Sequence, residues 1–203
     1  MAGEKTTTRR TQRERSEATT NEVIAAARKL FAEAGYAATS LDAIAAAAGM
    51  TKGAIYHHFS NKQEVFRAVY EQERARLAEI EQDAYSRKRD PWQGFIAACL
   101  AFLEASLDPG VQRITILDAP GALGWQTIRE TYGRDALAMM TWALEESMAA
   151  GRLRKRPVAP IAHALHGAIE ELAMHIAHAE DQRAALRTAS AELRRLFDAV
   201  AGG

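Results

Sequence analysis

The sequence predicts an all-α protein of about nine helices, on three observations. Apolar residues recur at three- and four-residue steps along most of the 203-residue chain. Alanine, the strongest helix former, is abundant. Ile114-Thr115-Ile116-Leu117 is the only run with strand character, and it is too short to found a sheet. A hydrophobic share of 48% and a charged share of 26% suit a chain with a core to bury. No stretch reaches the roughly 18 consecutive apolar residues of a membrane span. The polar N-terminus lacks the apolar stretch of a secretory signal, so the cytoplasm is the expected compartment. One cysteine, Cys99, excludes an intrachain disulfide and any multi-cysteine metal site.

The first helices are short and punctuated. Thr19 and Glu22 have capping-box spacing and open a helix with Val23, Ile24, Ala27, Leu30, Phe31 and Ala34 on its apolar face. Gly35 follows where a positive φ is wanted. Thr39 and Asp42 repeat the capping signature ahead of Leu41, Ile44, Ala45 and Ala48, and Gly49 stops that helix. Thr51 caps a very short third helix in which Ile55 and Phe59 face inward. Ser60 with Gln63 starts a long helix running to about Arg87.

The rest is a larger helical unit. Asp90-Pro91 is an N-cap with proline at the first helical position, ahead of Trp92, Phe95, Ile96, Cys99, Phe102, Leu103 and Ser106. Asp108-Pro109 opens another helix, expected to end near Asp118-Ala119-Pro120-Gly121. A loop or short helix then passes through Trp125 and Ile128, and a helix runs from about Gly133 to Ala150. Gly151 to Pro157 is a basic break, and two final helices cover roughly 158–179 and 181–200. The expected organisation is a flexible basic arm over 1–18, a helix-turn-helix unit over 19–62, and a second domain over 63–203. The helix from about 60 to 87 links the two.

Zero net charge hides an asymmetry. Residues 1–62 carry nine Lys and Arg against six Asp and Glu, and residues 63–203 seventeen against twenty. Lys5, Arg9, Arg10, Arg13 and Arg15 crowd the first fifteen residues, which suits either a polyanion partner or a solvated tail.

Residues 39–59, TSLDAIAAAAGMTKGAIYHHF, describe two short helices joined by a tight glycine-containing turn, a helix-turn-helix. With Ile55 and Phe59 inward, Gly53, Ala54, Tyr56, His57 and His58 are left largely outward, with no acid among them. Thr51 and Lys52 at the helix start can meet phosphate, and Lys62 adds a second such contact. Small Gly53 and Ala54 permit close approach to a groove floor. The plain alternatives are a half-buried Tyr56, ordinary surface His57 and His58, and an inward His58.

Residues 20–69, through the stretch AARKLFAEAGYAATSLDAIAAAAGMTKGAIYHHFSNKQEVFRAV, closely resemble the N-terminal domain of the TetR family of bacterial transcriptional regulators. The resemblance rests on G-Y-x-x-T-S, I-A, A-G-x-(S/T)-K-G, the Y-x-H-F run and a downstream lysine, with Met50 where valine is frequent. It implies an all-α dimer, three N-terminal helices that bind an operator, and a divergent C-terminal domain that holds a small-molecule effector. By motif position it implies phosphate contacts from Thr39, Thr51, Tyr56, His58 and Lys62, with Ser40 also among the DNA contacts. Base-edge contacts would come from Lys52, Gly53, Ala54, Tyr56 and His57.

In the second domain, Leu186, Ala189, Leu193, Leu196 and Val200, with Phe197 beside them, form a helix–helix seam. Small Ala164 and Gly167 flank the preceding helix. The resemblance implies that these two helices pair with their copies in a second subunit, and the alternative is a seam within one chain. A two-fold pair would want a palindromic operator with half-sites about 34–36 Å apart, or a multiple of that. Phe95, Cys99, Phe102, Leu117, Trp125, Ile128, Met139, Trp142 and Ile169 are pocket candidates, with Asp118, His166 and Glu170 as polar edges. Aromatic rings with a carboxylate would suit a flat cationic ligand. His163-x-x-His166 and His175-x-x-His178 point to different sides of their helix, so no metal site is expected.

No nucleophile elbow, P-loop, dinucleotide glycine motif or zincin pattern occurs, so neither a cofactor nor an enzyme is expected. A ligand-responsive repressor is the leading expectation. An activator and a non-specific architectural DNA binder are the alternatives, the last disfavoured by a neutral chain.

Overall fold

The computed structural model describes residues 12–202. Among them are nine helices and no strand: α1 (Gln12–Ala38), α2 (Leu41–Ala47), α3 (Lys52–His58), α4 (Lys62–Ser86), α5 (Pro91–Ala105), α6 (Pro109–Leu123), α7 (Trp125–Ala149), α8 (Val158–His178) and α9 (Gln182–Gly202). The all-α expectation holds. No single helix among the described residues is long and apolar enough to cross a membrane.

Several boundaries differ from expectation, for local reasons. Residues 12–18 of the expected flexible arm are helical, and Lys5, Arg9 and Arg10 lie outside the described residues. Thr19 does not cap α1 but sits inside it, where the Thr20 hydroxyl donates back to the Ser16 carbonyl at 3.0 Å. The Gln, Glu, Arg and Ala ahead of Thr19 are all good helix formers, so the helix starts earlier. Ser40, not Thr39, caps α2, accepting from the Ala43 N–H at 3.1 Å. Asn61 caps α4, accepting from the Glu64 N–H, while Glu64 accepts from the Ser60 N–H at 2.8 Å. α7 is continuous from Trp125, because the break falls at Gly124 (φ 87°), and Gly133 is tolerated inside a 25-residue helix at about 1 kcal/mol.

Two apolar cores share α4 and α6. The N-terminal core gathers Val23, Ala27 and Phe31 of α1, Ile44 of α2, Ile55 of α3, and Val65, Phe66 and Val69 of α4. Its centre is aromatic, with Phe66 edge-on to Phe31 at 5.0 Å and to Tyr36 at 4.9 Å. The larger core joins Leu77 of α4 to Trp92, Phe95 and Leu103 of α5, Leu144 of α7, Leu165 and Ile176 of α8, and Phe197 of α9. α4 therefore crosses from one core to the other between Tyr70 and Leu77.

α6 does the same within two residues. Asp108 caps it, accepting from the Gly110 and Val111 N–H groups. It then passes through a π-helical stretch over Gln112–Asp118, and a π-turn rotates side chains relative to a regular helix. Ile114 is sealed in the N-terminal core and Ile116 in the C-terminal one. The run with strand-like composition is thus a helical wedge between domains.

Candidate DNA-binding surface and ligand cavities

α3 presents the expected face. Ile55 is 1% exposed and Phe59 closes the helix below it, while Thr51, Lys52, Gly53, Tyr56 and His57 are exposed and Ala54 is half-buried. The Thr51 hydroxyl caps α3 by accepting from the Ala54 N–H at 3.3 Å. Tyr56 is 48% exposed, a large aromatic held at the surface by its place opposite Ile55.

Four of the sequence-expected contacts look different in three dimensions. Thr39 is buried, and its hydroxyl donates to the Gly35 carbonyl at 2.8 Å, so it stitches the kinked end of α1 and is not offered to a phosphate. Ser40 is the exposed hydroxyl there. His58 takes the inward alternative, half-buried with Nδ1 3.4 Å from the Thr20 hydroxyl. The Lys62 ammonium donates to the carbonyls of Tyr36 (2.7 Å), Thr39 (2.9 Å) and Ala37 (3.4 Å), and lies 4.3 Å from the Tyr36 ring centroid. An ammonium has three N–H donors, and here all three are engaged, so Lys62 is a structural cap and not a free phosphate ligand. Lys52 is paired with Asp42 of α2 at 2.8 Å, and the hydrogen bond its ammonium donates to that carboxylate holds its pKa above the ordinary lysine value. In the sequence, Asp42 reads only as a capping residue.

Most of the expected pocket residues gather in two cavities of the C-terminal half. The first, about 330 Å³, lies between α4, α5 and α7, and contains the expected Phe95, Cys99, Met139 and Trp142. Burial pushes the Cys99 thiol well up, so it is a small apolar wall residue and not a nucleophile. The second, about 420 Å³, is enclosed by α4, α5, α6, α7 and α8, and contains the expected Phe102, Trp125, Ile128, His166 and Glu170. Burial is the largest influence on His166 and lowers its pKa, against the raising effect of Glu170, whose carboxylate is 3.9 Å away.

Three pocket candidates line neither cavity. Leu117 packs half-buried on the C-terminal core, and Ile169 is sealed in it. Asp118 faces the other domain, accepting from the Tyr36 N–H at 2.6 Å and from Arg113 at 3.2 Å. Sequence reasoning missed Tyr70 and Arg74 in the second cavity and Glu71, Glu81 and Tyr85 in the first. Their signal was present on α4 as Tyr70-Arg74 and Glu81-Tyr85, pairs four residues apart, but polar residues on a long helix are normally a solvated face.

The expected intersubunit seam is also divided. Ala189, Leu193 and Phe197 are buried in their own protomer, Phe197 edge-on to Trp92 at 5.5 Å and to Phe95 at 5.6 Å. Leu186 and Val200 pack half-buried on the same core. Leu196 (40% exposed), with Ala164 and Gly167 on α8, remains outward. A three/four repeat marks the buried stripe of a helix without saying which molecule buries it. Among the described residues, no group of three or more His, Cys, Asp or Glu is placed to hold a metal ion.

A helix-turn-helix joined to a larger helical domain defines a DNA-binding regulator. Residues 23–69 match the family described as bacterial regulatory proteins, tetR family, and residues 92–200 match the family described as tetracyclin repressor-like, C-terminal domain. The chain belongs to the TetR family. It is 34% identical to a TetR-family transcriptional regulator of Pectobacterium atrosepticum, covering 95% of this chain and 98% of that one at a TM-score of 0.81. The TetC protein of transposon Tn10 from Escherichia coli is 34% identical over 123 residues, 59% of this chain and 60% of that protein. The regulator AcrR of Shigella flexneri is 40% identical over 73 residues, 36% of this chain and 34% of that protein. The chain thus spans about 60% and about a third of the length of these two curated relatives.

Proposed function

We propose that this chain is a sequence-specific, non-enzymatic transcriptional repressor that binds a palindromic operator as a homodimer and is released by a small-molecule effector. The observation that carries the reading is the position of α6. Thr115, Ile116 and Pro120 line the second cavity. From the same helix Asp118 holds the Tyr36 N–H, and the Ala122 carbonyl accepts from Gln63 Nε2 at 2.6 Å. A ligand seated against one side of α6 therefore acts on a helix whose other side is bonded to α1 and α4 of the DNA-binding unit. Such a ligand shifts the protein only by its differential affinity for the two states, and moving 1:99 to 99:1 takes about 5.5 kcal/mol.

The supporting experiment is selection of duplex DNA from a random pool by the purified full chain, followed by footprinting and sedimentation of the complex. A protected palindrome bound by two protomers is the expected result. Recovery of no palindrome, or equal affinity for operator and random duplex at physiological salt, refutes the reading.

A further inference from the structure

The cavity between α4, α5 and α7 has a chemical character of its own. Glu81 lines it, half-buried, and its carboxylate makes no hydrogen bond or ion pair among the described residues. Burial is the largest influence on it and raises its pKa, against the lowering effect of Arg74, with Glu170 adding a smaller rise. Tyr85 and Trp142 stand at its edge with ring centroids 5.4 Å apart and planes tilted by 47°, and Phe95 lies deeper. Trp142 is 45% exposed and Met139 53%, so the entrance is apolar and open.

The one basic group on this wall, Arg74, also lines the second cavity. Its guanidinium lies 5.9 Å from the ring centroid of Phe102, a wall of that second cavity and not of this one. Glu71 and Asp135 also line the first cavity, Asp135 with Arg134 4.0 Å away. In the second cavity Arg74 and Arg129 are matched by Glu170 and Glu171.

We propose that this first cavity takes a lipophilic aromatic cation, with its charge at Glu81 and its rings against Tyr85, Phe95 and Trp142. The inference rests on the reading that the C-terminal half receives an effector, and it names that effector's class. A cation in this position gains ring-face attraction and an ion pair in a partly desolvated site, where both are stronger than in water. An anion of the same shape meets the Glu81 carboxylate instead, whose charge Arg74 offsets without a direct ion pair.

Tetraphenylphosphonium and tetraphenylborate, nearly identical in shape and opposite in charge, make the test. Each is titrated into the full chain without DNA, followed by calorimetry and tryptophan fluorescence, with Trp125→Phe removing the indole of the second cavity. Tetraphenylphosphonium is expected to bind about tenfold or more tightly than tetraphenylborate and to quench the Trp125→Phe variant. Glu81→Gln is expected to cost the cation about tenfold and to narrow the gap between the two ions. If that variant does not fold, Trp142→Leu replaces it, with weakened cation binding expected. Tetraphenylborate binding as tightly as the cation, binding of neither ion, or cation affinity unchanged in the folded variants overturns the inference. Release from the selected operator is measured separately, so cation binding without release supports this inference while counting against the release reading.

Discussion

Lys62→Met separates a structural cap from a phosphate ligand. The substitution keeps the aliphatic stem and removes the ammonium that donates to the carbonyls of Tyr36, Ala37 and Thr39 and lies over the Tyr36 ring. A charge-assisted hydrogen bond contributes about 1.5–3 kcal/mol, but here the lysine is half-buried and water can replace part of what is removed. Two short bonds and one long one, discounted in this way, with a cation–π interaction of about 0.5–1 kcal/mol, give a net loss of about 2–3 kcal/mol. At about 2–4 °C per kcal/mol for a chain of this size, Tm should fall by about 4–12 °C. The chain should stay folded, since native stability is about 5–15 kcal/mol. The assay pairs thermal and urea unfolding with operator affinity measured across a salt series. If Lys62 instead neutralised one phosphate in each half of a two-fold complex, its removal would flatten the slope of log K against log salt by about 1.8. Unchanged stability together with that flattening would refute the cap assignment. A lower Tm with an unaltered slope is the expected result.

The other expected outcomes concern the interface, the kink and the acid limb. Leu193→Ala should cost about 2.7–5 kcal/mol in urea unfolding, because Leu193 is 1% exposed in its own core. Leu196→Glu should keep full helical content and shift sedimentation towards monomer, and a variant that stays dimeric would place the interface elsewhere. Gly35→Ala should lose about 1–3 kcal/mol in a thermal melt. The position has φ +79°, and the added Cβ would land on the Arg113 guanidinium. For Asp108, desolvation pushes the carboxyl up, but the Val111 N–H, Arg76, Arg28 and the Gly110 N–H together hold it below the ordinary aspartate value. A folded-state pKa below the unfolded one means stability present above about pH 3.9 and lost as pH falls through the folded value. Asp108→Asn, which keeps a capping side chain, should therefore be less stable than the parent at neutral pH, with the gap closing in acid; a gap independent of pH would count against the charge.

Local chemistry was enough for most of the elements. Helix period, the caps at Thr51, Asp90 and Asp108, the kink at Gly35 and the stop at Gly49 all lie within four residues of what they control. The outward face of α3 follows from the same short range, since burying Ile55 and Phe59 settles where Tyr56 and His57 go. What failed locally failed by competition between neighbours, as when Ser40 took the cap that Thr39 was spaced for.

The sequence by itself determined the all-helical class, the helix-turn-helix and the outward face of α3, because each depends on residues a turn or two apart. Only the tertiary structure decided that Lys62 and Asp118 bind backbone 23 to 82 residues away, and that Leu193 and Phe197 are buried within one chain. It alone placed Glu81 in a cavity. The physical reason is that a side chain's ionic or apolar character is written in its own chemistry, whereas its partner is chosen by packing among helices distant along the chain, and one stripe or one charge admits several such partners.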